Sequence, residues 1–296
     1  MKSFFLAQIA TRDGILHQGI VFTPPRPSSA KATAGKALLW IHGLTGRFYG
    51  DVTFMNLFAE ACGTSRMAFA SFNTRGHDMI TGFHKTDAPN SYRTVGAGLE
   101  KFEECAYDID AAVSFLVSQG FSEVVLVGHS TGANKACYYA ATQKDPRVVG
   151  VVLSGPLSDR YSSGYAPEKY AEYKAFMQKK IAEGKGDEPL SGYDFFMLSP
   201  NRWMSLYVEG SAEDVFNYAD GDKALSEFSK ITRPLLVVMG QEDKHATMPI
   251  EEIRRLFDTH TKSKNYKSIL IPGALHSFEG KEKEAVAAIC EWAGSI

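Results

Sequence analysis

Apolar and polar positions along the chain follow two patterns in turn. Short continuous apolar runs, typical of strands buried on both faces of a sheet, alternate with stretches whose apolar residues recur at helical spacing. The runs predict strands at 3–10, 15–22, 37–41, 67–72, 124–127, 148–153, 234–240 and 266–271. The helical spacing predicts helices near 53–62, 102–119, 133–142, 249–258 and 282–292. The alternation predicts a mostly parallel central α/β sheet with helices on both faces, entered through an antiparallel pair of strands.

Residues 156–230 interrupt this alternation. The segment carries aromatic and charged residues at helical spacing, for example over 167–182, has a Gly-rich break at 184–186, and contains no strong strand pattern. We therefore predict an insertion that forms a helical cap over one end of the sheet. The cap would divide the core into residues 1–155 and 231–296.

Composition bears on partners and on cellular compartment. The 296 residues include 32 basic and 34 acidic residues with a formal net charge of −2, so neither a nucleic acid nor an anionic membrane is expected as a partner. The apolar N-terminal stretch ends by Ala10 without a clear cleavage site, which favours a first strand over an export signal. Four scattered cysteines without C-x-x-C spacing favour reduced thiols and a cytoplasmic protein, whereas the oligomeric state stays open.

Residues 23–35, rich in Pro and Ser, predict a surface loop.

The pentapeptide GHSTG at 128–132 directly follows the predicted strand 124–127 and precedes a predicted helix. Its two glycines permit a sharp, strained turn, because a side chain at either position would collide with the neighbouring backbone. Such a turn leaves the hydroxyl group of Ser130 exposed at the end of the sheet. We predict Ser130 as a nucleophile; the alternative is an ordinary Gly-rich turn between a strand and a helix.

A serine hydroxyl group needs a base within hydrogen-bond reach and a third group that orients the base. His276 lies in the loop after the last predicted strand, and Asp243 follows the strand before it. Because parallel strands place their carboxyl ends at one edge of the sheet, these loops should converge on Ser130. We predict His276 as the base and Asp243 as the orienting acid. Glu242 and Asp159 remain alternative acids.

Acyl transfer also requires backbone N–H groups that stabilise the negative charge on the carbonyl oxygen. One donor is expected from Thr131, the residue after the nucleophile. The other is expected from Leu44, in the loop after the strand at 37–41, with Gly43 allowing a close backbone approach. The alternative is a Gly-rich turn without chemistry.

These motifs resemble those of the α/β-hydrolase superfamily along nearly the whole chain. The matching positions are His42-Gly43, Arg75-Gly76-His77, GHSTG at 128–132, Asp243 and His276. The resemblance implies an α/β-hydrolase fold with a Ser-Asp-His triad in this chain order and no cofactor. The stretches 42–49 and 73–78 are also similar to a subgroup of bacterial and fungal hydrolases, some of whose fungal members are siderophore esterases. The chain departs from the superfamily at one point: many members continue with G-x-G after the Arg-Gly pair, whereas this chain has His77-Asp78, which implies a different floor of the site.

Other residues are candidates for substrate contact. Gly43 and His42 lie beside the expected oxyanion donor, although His42 has the alternative of shaping its own loop. Arg75 is a candidate for binding a substrate carboxylate, or else it holds its own loop. His129 is expected to pack under the turn. The histidines lack metal-binding spacing, so no metal is predicted. Most aromatic and Met side chains of the insertion should pack on the sheet domain and a few should line an apolar acyl pocket: Tyr161, Tyr165, Tyr170, Tyr173, Phe176 and Met177.

The sequence therefore predicts a serine hydrolase that cleaves a carboxylic ester of a small or medium-sized substrate through an acyl-enzyme on Ser130. A thioesterase, an acyltransferase and a C–C bond hydrolase use the same residues. A small-molecule receptor with a hydrolase fold is an alternative of another class, because it would retain the triad with little turnover.

Overall fold

The computed structural model describes residues 4–24, 35–87 and 90–296, so most of the predicted loop at 23–35 lies outside the described residues. The strands are β1 (Phe5–Ala10), β2 (Leu16–Phe22), β3 (Lys36–Ile41), β4 (Ala68–Phe72), β5 (Thr81–His84), β6 (Tyr92–Val95), β7 (Glu123–His129), β8 (Val148–Ser154), β9 (Leu235–Gly240) and β10 (Tyr266–Ile271). The α-helices are α1 (Val52–Thr64), α2 (Cys105–Ser118), α3 (Thr131–Gln143), α4 (Asp159–Ser162), α5 (Pro167–Ala182), α6 (Pro200–Tyr207), α7 (Ile250–His260) and α8 (Glu282–Ser295). None of the helices within these ranges is long and apolar enough to cross a membrane.

Eight strands form one sheet in the order β1-β2-β4-β3-β7-β8-β9-β10. The pairs β1–β2 and β2–β4 are antiparallel, whereas every pair from β4 to β10 along this order is parallel. The predicted mostly parallel sheet with an antiparallel entry is therefore confirmed. Because the parallel strands share one direction, the loops after β3, β7, β9 and β10 leave the sheet at the same edge.

The central strands are buried on both faces. On β7, Val124 and Leu126 pack in the hydrophobic layer that includes α2, α3 and α7, whereas Val125 and Val127 pack in the layer formed with α1 and α8. All four side chains are fully buried. Burial on both faces explains why this strand is a continuous apolar run in the sequence instead of an alternating one.

Between β8 and β9, residues 156–230 form α4, α5, α6 and two 3-10 helices. These elements enclose an apolar cluster of their own, in which Trp203 of α6 is completely buried. Four of the aromatic residues that the sequence assigned mainly to the sheet domain pack instead on this cluster: Tyr165, Tyr170, Tyr173 and Phe176. Met177 is buried within the cluster, and Tyr161 packs on the core of the sheet domain. The division into a core and a cap stays a prediction.

A buried ionic network joins this segment to the sheet domain. Lys135 of α3 donates to one carboxylate oxygen of Glu100 at 2.7 Å, and Arg202 of α6 donates to the other at 3.0 Å. Arg202 also pairs with Glu213, and its Nε donates to the carbonyl oxygen of Ala97 at 2.8 Å. The four charged side chains are at most 1% exposed. The positive charges of Lys135 and Arg202 thus balance the negative charges of Glu100 and Glu213 in the protein interior. Ion pairs, as well as apolar contacts, therefore hold α6 against α3.

We expect Glu100→Gln to lower the free energy of unfolding by about 3–5 kcal/mol, because Lys135 and Arg202 would stay buried with one balancing charge fewer. Urea unfolding followed by circular dichroism measures this change. The control is Lys169→Met, which removes a cation paired with Glu172 on the exposed surface of α5 and should leave the unfolding midpoint unchanged. Equal midpoints for Glu100→Gln and the wild type would contradict a structural role for the network.

Candidate active site

The turn between β7 and α3 presents Ser130 in a strained backbone conformation. Its φ of 56° and ψ of −127° form a combination that non-glycine residues rarely adopt. A Cβ on Gly128 would lie 2.1 Å from the carbonyl oxygen of Gly132, and a Cβ on Gly132 would lie 2.1 Å from that of Ile41. The N–H group of Ser130 donates to the carbonyl oxygen of Ser154 on β8 at 2.9 Å, which ties the turn to the sheet. Both glycines are therefore required by the close approach of backbone segments.

Ser130, His276 and Asp243 form a continuous hydrogen-bond chain. Nε2 of His276 lies 3.0 Å from Oγ of Ser130, and Nδ1 of His276 lies 2.6 Å from Oδ2 of Asp243. Oδ1 of Asp243 accepts the backbone N–H of His245 at 2.9 Å, and the side chain of Asp243 has no exposed surface. Because the carboxylate accepts the proton on Nδ1, Nε2 is left as an acceptor for the hydroxyl proton of Ser130.

The two alternative acids do not contact His276. Glu242 is exposed next to Asp243. Asp159 lies on the wall of the cavity that also contains Ser130, but its Oδ2 has no hydrogen-bond partner within the described residues. Among the three candidate acids, only Asp243 forms a hydrogen bond with His276 in the described parts of the chain.

The two predicted oxyanion donors lie beside the serine. Thr131 is the first residue of α3, so the hydrogen-bond pattern of the helix leaves its N–H group without a partner. A Cβ on Gly43 would lie 2.9 Å from Cβ of Ser130, so only glycine fits the loop this close to the nucleophile. Leu44, the next residue, lines the cavity of Ser130 and His276, and no backbone carbonyl group in the described parts of the chain accepts its N–H.

His129 packs between the loop that carries His276 and Trp40. Its Nε2 donates to the carbonyl oxygen of His276 at 3.0 Å, and its ring stacks on Trp40 with the ring centroids 5.8 Å apart. Burial, together with the neighbouring His276, lowers the pKa of His129 to about 4, so the ring is neutral near pH 7. The sequence predicted packing under the turn, but the hydrogen bond depends on the tertiary position of the loop after β10.

His42 shapes its loop and does not face the cavity of Ser130. It is 3% exposed, its Nε2 accepts the backbone N–H of Thr74 at 3.0 Å, and its Nδ1 donates to the carbonyl oxygen of Gly43 at 2.9 Å. Burial and the charge of Lys135 lower the pKa of His42 to about 3. Both ring nitrogens are in use, so the predicted substrate contact is corrected to a structural one. Gly43 contributes close packing on Ser130.

The predicted contact between Arg75 and a substrate is wrong. The side chain of Arg75 has no exposed surface, and its guanidinium group pairs with Asp108, Asp13 and Glu104. The distance from Nη2 of Arg75 to Oδ1 of Asp108 is 2.8 Å. Burial alone would lower the pKa of Arg75, but these carboxylates raise it. Because carboxylates of the protein occupy the guanidinium group, a substrate carboxylate cannot reach it, and Arg75 holds its own loop.

A cavity of about 290 Å³ opens on Ser130 and His276. None of the insertion residues proposed for an acyl pocket lines it; the aromatic side chains there are Phe195 and Tyr207. The cavity is therefore more polar than the sequence predicted. Its remaining lining residues are Leu44, Leu157, Asp159, Ser162, Ser163, Asp194 and His245. A larger cleft of about 470 Å³ lies beside α6 and contains neither Ser130 nor His276. Across the described ranges, no group of three His, Cys, Asp or Glu side chains is placed to hold a metal ion.

Comparisons with known proteins agree with this architecture. A family model described as "Protein of unknown function (DUF1749)" matches residues 11–293. No curated protein sequence matches the chain. Among solved structures, Est1E from Butyrivibrio proteoclasticus with ferulic acid bound shares 18% identity, with 97% of each chain covered and a TM-score of 0.63.

Two further structures have the same fold. The esterase Pf2001 from Pyrococcus furiosus shares 15% identity over 98% of this chain and 90% of its own, with a TM-score of 0.59. The hypothetical protein PA2218 from Pseudomonas aeruginosa shares 13% identity over 99% of this chain and 94% of its own, with a TM-score of 0.66. At these identities the likeness establishes the fold alone. The predicted α/β-hydrolase fold is confirmed.

We expect Gly132→Ala to lower the free energy of unfolding by about 1–3 kcal/mol or more, because the added methyl group overlaps the carbonyl group of Ile41. Thermal unfolding followed by circular dichroism measures this change. Gly294→Ala is the matched control: a Cβ at Gly294 in α8 would meet nothing within 4 Å, and alanine favours the helix. A stability loss equal in the two variants would contradict a special packing requirement at the turn.

Proposed function

The chain belongs to the DUF1749 family and has the α/β-hydrolase fold, and from this premise we propose that it is a serine hydrolase that cleaves a carboxylic ester of a small or medium-sized substrate. The observation that carries the proposal is the hydrogen-bond chain from Oγ of Ser130 through His276 to Asp243. A nucleophile, a base and an orienting acid in contact are the components that acyl transfer requires.

In the proposed reaction, Oγ of Ser130 attacks the ester carbonyl carbon while Nε2 of His276 accepts the hydroxyl proton. The bond between the carbonyl carbon and the alcohol oxygen then breaks, and His276 gives its proton to the departing alcohol. Ser130 is left acylated. Water attacks the acyl carbon, His276 takes a proton from the water, and the carboxylic acid leaves as the proton returns to Oγ of Ser130.

Two further features lower the barrier in this scheme. Asp243 holds the imidazole in the required tautomer and stabilises its positive charge after proton transfer. The N–H groups of Thr131 and Leu44 donate to the oxygen that becomes negative during attack. Loss of one such donor typically lowers kcat by about 10²–10³.

The cavity and the structural neighbours support the substrate class. A volume of about 290 Å³ is near the lower end of the range of about 300–1,000 Å³ for ligand sites, which favours a small or medium-sized substrate. The neighbour Pf2001 is described as an esterase, which favours a carboxylic ester over a thioester or a C–C bond. The scheme uses protein groups and water alone.

We expect a fluorophosphonate to form a covalent adduct on the wild type and none on Ser130→Ala, because only an activated serine displaces fluoride. Intact-protein mass spectrometry measures the adduct. With p-nitrophenyl butyrate, Ser130→Ala and His276→Ala should each lower kcat by about 10⁴-fold or more. A folded wild type that neither takes the adduct nor hydrolyses the ester would overturn the proposal in favour of a receptor.

The role of the acid has its own test. Asp243→Asn should lower kcat on p-nitrophenyl butyrate by about 10²–10⁴-fold, because the amide does not stabilise the protonated imidazole. Glu242→Gln is the control, since this neighbouring acid is exposed and does not contact His276. If Glu242→Gln lost activity and Asp243→Asn kept it, the assignment of the acid would be reversed.

A further inference from the structure

The wall of the cavity that contains Ser130 carries a carboxyl group that forms no salt bridge with any described residue. Asp159 is the first residue of α4 and lines the cavity that contains Ser130 and His276. Its Oδ2 is buried, and the described residues provide no hydrogen-bond partner for this atom. Most buried polar groups are hydrogen-bonded, so an unpartnered carboxylate oxygen at the wall of a cavity requires an explanation.

Two arginines near Asp159, Arg160 and Arg202, form salt bridges with other carboxylates. Arg160, the next residue, donates through Nε to Asp214 at 3.1 Å and through Nη2 to Asp220 at 2.6 Å. Arg202 belongs to the buried ionic network, in which its charge is already balanced. Asp159 therefore lines the cavity without a salt bridge to either arginine.

The rest of the cavity adds negative charge. Oδ2 of Asp194 accepts the hydroxyl group of Tyr207, and its Oδ1 accepts the backbone N–H of Phe195 at 2.7 Å. None of the described residues that line the cavity is Lys or Arg. The lining histidines are His245 and His276, and His276 must be neutral to accept a proton from the nucleophile. A cavity with two carboxyl groups and no fixed cation attracts a positively charged ligand group.

We propose that Asp159 binds a protonated amine of the substrate, so that the enzyme prefers esters carrying an amino group over neutral esters of the same shape. This inference rests on the proposed esterase function of Ser130. In this binding mode the N–H group of the amine donates to the carboxylate of Asp159, while Asp194 supplies a second negative charge in the same cavity. A hydroxyl group would also donate a hydrogen bond but would leave the charge unbalanced, which favours the amine.

The protonation of Asp159 makes amine binding depend on pH in a way that an experiment can detect. Burial raises the pKa of Asp159 to about 7, with further upward contributions from Glu213 and Asp194 and opposing ones from Arg202 and His276. A protonated amine binds the ionised carboxylate. Its binding therefore strengthens as the pH rises through about 7 and weakens as the carboxyl group becomes protonated at lower pH.

Two matched pairs of esters test the proposal on the complete protein. 2-(Dimethylamino)ethyl butyrate is compared with 3-methylbutyl butyrate, and ethyl 4-(dimethylamino)butyrate with ethyl 5-methylhexanoate. Each pair exchanges a protonated nitrogen for a carbon of the same shape, on the alcohol or on the acyl side. For at least one pair we expect kcat/KM of the amino ester to exceed that of its partner by about tenfold or more. This ratio should rise between about pH 6 and about pH 7.5.

Asp159→Asn removes the negative charge but keeps the shape and the hydrogen-bonding groups of a protonated carboxyl group. We expect this variant to lose the preference for the amino ester and the pH dependence of the ratio of the two kcat/KM values. Glu242→Gln removes an equal charge from the exposed surface and should keep both properties. Circular dichroism verifies that each variant is folded.

The outcomes separate the two proposals. If the wild type takes the fluorophosphonate adduct and hydrolyses neutral esters but prefers neither amino ester, the amine subsite is wrong and the esterase function stands. A preference that persists in folded Asp159→Asn also overturns the subsite. Absence of both the adduct and neutral-ester hydrolysis in the wild type overturns the esterase function and the subsite together. The ester ratios are measured on the wild type, so the test holds even if Asp159→Asn does not fold.

Discussion

Backbone segments around Ser130 pack so closely that they leave no space for side chains, and the geometry of the site depends on this contact. Gly132 lies against the carbonyl group of Ile41 at the end of β3, and Gly43 lies against Ser130 itself. The turn at Ser130 and the loop after β3 are thereby locked together. In the proposed reaction, the N–H groups of Thr131 and Leu44 would be held in place before a substrate binds, which is the condition under which such dipoles stabilise developing charge most effectively.

Buried neutral histidines extend this rigidity without adding charge. His42 links the loop after β3 to the loop after β4 through Thr74, and His129 links the turn at Ser130 to the loop after β10 through the carbonyl group of His276. Burial lowers the pKa of both rings far enough that neither is protonated near neutral pH. The loop that carries His276 is therefore held by a neutral ring, without an added positive charge.

Most of the sheet and the three residues of the hydrogen-bond chain could be predicted because strands buried on both faces form continuous apolar runs and the nucleophile turn needs glycines at fixed positions. The structural role of Arg75 could not be predicted from the sequence. Its partner Asp108 lies 33 residues away along the chain, and local sequence does not show which way a loop side chain points. The hairpin of β5 and β6 was not predicted because its strands have four residues each and are partly polar. Likewise, Phe195 reaches the cavity only through the tertiary path of the insertion.

The buried ionic network has a consequence for how this chain can vary. Glu100 and Lys135 belong to the sheet domain, whereas Arg202 and Glu213 belong to the segment between β8 and β9. A change that removes the charge at one of these four positions leaves an unpaired charge buried in the interior. Tolerated substitutions must therefore occur together and compensate one another. The segment between β8 and β9 is accordingly not interchangeable by itself: a chimera that replaces it would have to replace Glu100 and Lys135 as well, so sequence changes in this segment are coupled to changes at these two positions.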